Sequence, residues 1–106
     1  MPITAEQFRD IAMSFEAVTQ KPHFDRIAFS VHRTFATIAA DQETANLLLT
    51  PQQQEARCAI EPTIFTPVPN KWGAQGWTVI TLANADDLTA RAALLDAWNN
   101  SHKNKK

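Results

Sequence analysis

Between residues 27 and 49 the chain follows a two-residue period broken by short polar segments, a pattern that commits this stretch to a sheet. Ile27, Phe29 and Val31 alternate with Ala28, Ser30 and His32. Phe35, Thr37 and Ala39 alternate with Ala36 and Ile38, and Ala45 to Leu49 is a third apolar run. Polar breaks at His32-Arg33 and at Asp41-Gln42-Glu43 separate the runs, so three strands joined by short turns form an antiparallel meander. Two further strands are predicted, at Thr63–Thr66 and at Trp77–Leu82, the second rich in β-branched residues.

Helices bracket and interrupt these strands. Thr4 and Gln7 make a capping box, with Ile3 and Phe8 at the staple positions, and Phe8, Ile11, Ala12 and Phe15 follow helical spacing. Lys21-Pro22 favours extended chain, so this helix is predicted over 4–17. Thr50-Pro51-Gln52-Gln53 starts a second helix over 50–61, which Pro62 stops. A third is predicted over 86–98, with acids in its first turn and Leu88, Ala92, Leu95 and Trp98 as the stripe that covers the sheet. Residues 99–106 read as a frayed basic tail. The chain of 106 residues is thus expected to be one α+β domain of order α-β-β-β-α-β-β-α, two layers, with the helices on one face of an antiparallel sheet.

Composition narrows the function classes. One cysteine, Cys58, allows no internal disulfide, and neither a signal-peptide pattern nor a membrane-spanning run is present, which points to the cytoplasm and away from a membrane partner. The net charge is −1, but it is unevenly spread. The predicted helices sum to −5 and residues 41–49 carry −2, whereas residues 18–40 carry +2, 62–85 carry +1 and 99–106 carry +3. An acidic helical layer is therefore expected opposite a more basic sheet layer.

No catalytic constellation is recognisable, and an enzyme is not expected. The only adjacent carboxylates, Asp86-Asp87, suit a helix N-terminus, and Ser14, Ser30 and Ser101 lack a nucleophile-elbow context. Cys58 reads as a buried, inert thiol. His23, His32 and His102 show no zinc-ligand spacing, and no cofactor or small-molecule substrate is indicated. The surface candidates are the cations Lys21, Arg26, Arg33 and Lys71 with His23 and His32, all expected at hairpin tips, where they can touch phosphates. Trp72, in the segment that holds both glycines, is a candidate stacking platform, while Trp77 is expected in the core. Asn46 is a polar residue in an apolar strand, expected at the outer sheet face.

Several segments together resemble the MmcQ/YjbR-like family: Lys21-Pro22-His23-Phe24, Phe29-Ser30-Val31, Phe35-Ala36-Thr37-Ile38, Ala45 to Pro51, Trp72-Gly73-Ala74-Gln75-Gly76-Trp77-Thr78 and Leu94 to Trp98. The resemblance runs from about residue 4 to residue 102. It implies a secretion-chaperone-like two-layer fold and DNA binding through a double wing of two β-hairpins. The turn at His32-Arg33, taken as the first hairpin tip, departs from the family by lacking glycine. The competing expectation is a protein-interaction or chaperone-like module whose exposed sheet face meets a second copy, as a homodimer, or another protein.

Overall fold

The computed structural model describes residues 2–102. Its element order is α1 (Ala5–Met13), β1 (Thr19–His23), β2 (Arg26–Ser30), β3 (Thr34–Ile38), β4 (Thr44–Leu48), α2 (Pro51–Ile60), β5 (Phe65–Pro67), α3 (Lys71–Ala74), β6 (Trp77–Thr81), a 3-10 turn at Leu82–Asn84, and α4 (Asp87–Ser101). The six strands form one sheet in the order β1-β2-β3-β4-β6-β5, with every neighbour antiparallel. This is the α+β two-layer class expected from the periodicity, with one strand and one short helix more than the pattern predicts.

The helix starts form as their sequences dictate. Gln7 N–H donates to Thr4 Oγ1 and Thr4 N–H donates back to Gln7 Oε1; Thr50 and Gln53 repeat the arrangement with Pro51 at the first helical position. Ile3 and Phe8 are both buried, completing the staple. Asp86 caps α4 by accepting from Thr89 N–H, which holds its carboxyl below the ordinary aspartate range. Helix α1 stops at Met13, not at residue 17: Ser14 caps it, its Oγ donating to Ile11 O, and Ala17 takes φ +67° on the way into β1.

Cross-strand register decides which face each side chain takes. Pro22, Ile27, Ile38, Ala45, Ile80 and Phe65 form one row across the sheet, and Gln20, Phe29, Ala36, Leu47, Thr78 and Pro67 form the next on the same side. Phe8, Ile11 and Ala12 of α1 and Ala90, Ala93, Leu94 and Ala97 of α4 close the core over these rows. Lys21, Ala28, Thr37, Asn46, Val79 and Thr66 form a row on the opposite, open side.

The stripe predicted to cover the sheet is corrected by α4. Leu88 is 76% and Leu95 43% exposed, and the helix instead buries its alanine-rich side. Alanines let the helix axis approach the strands closely, with Leu94 buried among them, and of the predicted stripe Trp98 packs half-buried against the core. The expected frayed tail is also corrected at its start. Residues 99–101 are helical, and Asn100 is buried, its Nδ2 donating to Leu48 O and to Gln53 Oε1 at 2.9 Å each. Lys103, Asn104, Lys105 and Lys106 lie outside the described residues.

Strand β1 is the unpredicted strand. All five of its residues are exposed, so it carries no apolar alternation, and Pro22 within it is tolerable only because it lies at the sheet edge. Lys21 and Pro22 also discourage another chain from pairing with that edge. The opposite edge, β5, has three residues and ends in Pro67.

Candidate nucleic-acid interface

The six strands contain two cations, Lys21 and Arg26, and no Asp or Glu. Both cations belong to the β1–β2 hairpin, and register puts both on the open side, Lys21 opposite Ala28 and Arg26 opposite His23. Arg26 lies across the sheet: its Nε donates to Thr37 Oγ1 at 2.9 Å, although Thr37 belongs to β3. Its Nη2 is buried and has no hydrogen-bond partner among the described residues. Ala28 and Thr37 are buried on a side that carries no helix, beneath longer neighbours that include Arg26. Asn46 sits in the same row, half-buried, between Thr37 and Val79, as the outer-face expectation requires.

The structure separates the candidates that were expected at hairpin tips. The tip of the β1–β2 hairpin is Phe24-Asp25, so Lys21 is mid-strand and Arg26 opens β2. This hairpin precedes the one at His32-Arg33, which is therefore the second and not the first. Arg33 is exposed in the Val31–Arg33 turn, at the end of the sheet opposite Phe24-Asp25. Lys71 opens α3, just before Trp77, whose partner Leu48 lies at the same end as the Arg33 turn. Arg33 and Lys71 thus share one end of the sheet, while His23 and Arg26 lie toward the other. None of the four cations forms an ion pair among the described residues; the pairs there are Arg9–Asp10, Arg57–Asp96 and Arg91–Asp87, all within the helical layer. Asp25, the neighbour of Arg26 in sequence, makes no ion pair with it among the described residues.

Trp72 is 52% exposed, and Trp77 is half-buried against the core. The two glycines lie nearby. A Cβ would stand 1.9 Å from Val68 O at Gly73 and 1.9 Å from Leu49 O at Gly76, and Gly76 alone of the two also needs a positive φ, +112°. Gln54 Nε2 ties this loop to α2 by donating to Gly73 O and Trp77 O.

His32 and His102 meet edge to face, with ring centroids 4.9 Å apart, and His102 continues onto Trp98 at 4.4 Å and Trp98 onto Phe15 at 5.7 Å. His23 stands apart, against Phe24 at 4.7 Å. Among the described residues no three His, Cys, Asp or Glu side chains group as metal ligands. Cys58 is half-buried, and burial pushes its thiol up from the ordinary value. Among the described residues no helix is long and apolar enough to cross a membrane.

Phe24 is the exposed feature that sequence reading missed. It is 94% exposed, at φ +60°. Its place in the Lys21–Phe24 run gave no warning, because only the pairing of β1 with β2 turns that run into a hairpin end.

Fold and surface together define a two-layer α+β domain whose helices leave one sheet face open, with that face free of acids and its helical layer acidic. The crystal structure of Deinococcus radiodurans protein DR2400, with family-model domain DUF419, has the same fold: TM-score 0.74 and 18% identity, covering 90% of this chain and 75% of that one. No family model matches the sequence, and no curated protein matches it either.

Proposed function

We propose that the open sheet face and the β1–β2 hairpin bind nucleic acid, in a domain of the MmcQ/YjbR-like kind. The fold shared with a DUF419 protein and the segment resemblance together support the family reading. One observation carries the functional reading: Arg26 is held on the open face by Thr37, with a buried Nη2 that no described group satisfies and no carboxylate paired to it. A half-exposed guanidinium with no carboxylate partner can donate its accessible N–H groups to an anion, and a phosphodiester suits the fork of an arginine. Lys21 lies on the same face, and Arg33 and the half-exposed Trp72 stand at the opposite end of the sheet, where a strand long enough to cross the face would meet them.

Overall charge favours modest affinity, since −1 provides little long-range attraction. Fluorescence anisotropy with labelled single- and double-stranded oligonucleotides at low salt tests the reading, with Arg26→Ala and Lys21→Ala beside wild type. Loss of Arg26 is expected to weaken binding roughly tenfold or more, as for a hydrogen-bonded charge. With two or three cations engaged, the slope of log K against log salt is expected at about −2 to −3. Equal affinity of all three proteins, or no binding at micromolar protein, would remove the proposal.

A protein partner on the same face is the second reading. It is favoured by the uncharged centre of the open row, Ala28, Thr37, Asn46 and Val79. Retention of a protein by this face with no salt-dependent oligonucleotide binding would select it.

A further inference from the structure

The β1–β2 hairpin turns at Phe24-Asp25, and Phe24 takes φ +60° there, a conformation that bulky residues avoid. A two-residue hairpin normally places Gly, Asn or Asp at such a position. Phe24 adds nothing to the core, being 94% exposed. Backbone strain and an exposed ring on one tip mark a side chain held for contact with something outside the fold.

The two tip residues serve opposite sides of the sheet. Asp25 lines a recess beneath α1 with Glu6 and Arg9, on the helix side. Phe24 instead meets His23, with ring centroids 4.7 Å apart and planes inclined at 65°, and His23 lies on the open side opposite Arg26. An edge-to-face contact steadies a ring and leaves a flat face free. The tip therefore presents an aromatic plane on the side that carries Lys21 and Arg26, where the strands contribute no carboxylate.

We infer, on top of the nucleic-acid reading on which this rests, that Phe24 stacks on an unpaired base and that the open face therefore takes a single strand. Bases inside a duplex are stacked on one another and offer only their edges to a groove. Their flat faces become available in single strands and loops. Cross-strand partners hold side chains about 5 Å apart, so a strand whose phosphate lies on Arg26 carries a neighbouring base to the hairpin tip. Such stacking tolerates any sequence, because every base has a π face. A lone phenyl ring buries too little apolar area to hold a protein or a lipid surface by itself, whereas one ring suffices for one base.

Fluorescence anisotropy at low salt tests this with a labelled thymidine oligomer of about 12 nucleotides, an abasic oligomer of equal length and a duplex. Phe24→Gly, Phe24→Trp and Arg26→Ala are measured beside wild type. Glycine meets no Cβ penalty at φ +60°, so Phe24→Gly is expected to melt at or above the wild-type temperature. The same variant should bind the thymidine oligomer about 5- to 100-fold more weakly, and the abasic oligomer and the duplex as wild type does. Phe24→Trp keeps an aromatic plane and should bind the thymidine oligomer at least as tightly as wild type. Arg26→Ala should weaken both oligomers alike, since both keep their phosphates. Unchanged binding of the thymidine oligomer by Phe24→Gly overturns the stacking role, as does an equal loss on the abasic oligomer or the duplex. If Arg26→Ala still weakens binding in those cases, the phosphate contact stands without the stack. A Phe24→Gly variant that melts well below wild type assigns the ring to the fold and overturns the role as well. No binding of any oligonucleotide removes both readings, and self-association in sedimentation that Phe24→Gly abolishes would then give the tip to a second copy.

Discussion

Gly73→Ala separates two physical accounts because they predict opposite signs. Gly73 is helical, in α3, and its φ is not positive. On propensity alone, alanine would stabilise that position by about 0.4–1 kcal/mol, by restricting the unfolded chain. The packing says otherwise. A Cβ at residue 73 would stand 1.9 Å from Val68 O and 2.9 Å from Val68 C, both backbone atoms. Relief requires the chain at Val68 to retreat by about 1 Å or more, a shift that well-packed interiors resist. Val68 is anchored, since its N–H donates to Trp77 O at 3.0 Å and its O accepts from Asn70 N–H at 3.1 Å. Weakening both bonds costs about 1–3 kcal/mol, and overpacking adds about 1–3 kcal/mol. Subtracting the propensity gain leaves a net destabilisation of about 1–5.5 kcal/mol. For a domain of this size each kcal/mol lowers the melting temperature by about 4–8 °C, so a drop of at least about 4 °C is expected. Urea denaturation followed by circular dichroism, with thermal melts alongside, measures it. A variant as stable as wild type or more so would mean that propensity governs and that the Val68 approach is unimportant.

Three further outcomes are expected. Asn100→Asp turns a buried donor into an acceptor facing Leu48 O and Gln53 Oε1, and should destabilise by about 3 kcal/mol or more, exceeding Asn100→Ala, as chemical denaturation of the two variants would reveal. Asp86 has a folded pKa below its unfolded one, so its contribution is fully present above the unfolded value and disappears as pH falls through the folded value. Asp86→Asn keeps a capping side chain without the charge, so its stability should fall less steeply than wild type below about pH 4. Cys58, half-buried and with its thiol pushed up by burial, should react with a thiol reagent at neutral pH more slowly than free cysteine, and unfolding should remove the difference.

Local chemistry and tertiary packing divide this molecule cleanly. Both capping boxes, the Ile3–Phe8 staple and the Asp86 cap were legible from residues alone, because their bonds close within three or four positions. The central strands were legible because burial of one face enforces alternation. Strand β1 was not, since its five exposed residues obtain their order from pairing with β2 and from no core contact. Helix α4 offered two apolar sides, and the distance from helix to sheet selected the alanines over Leu88 and Leu95, a choice no residue pattern expresses. The candidate site followed the same division. Composition along the chain already placed cations among the strands and acids among the helices. Register alone laid Arg26 against Thr37 eleven positions away, sent Arg33 and Lys71 to the other end, and left Phe24 projecting from a turn. Charge and helix capping are properties of neighbouring residues. The company a side chain keeps across a sheet depends on which strands pair and in what register, and that is settled only when the whole chain packs.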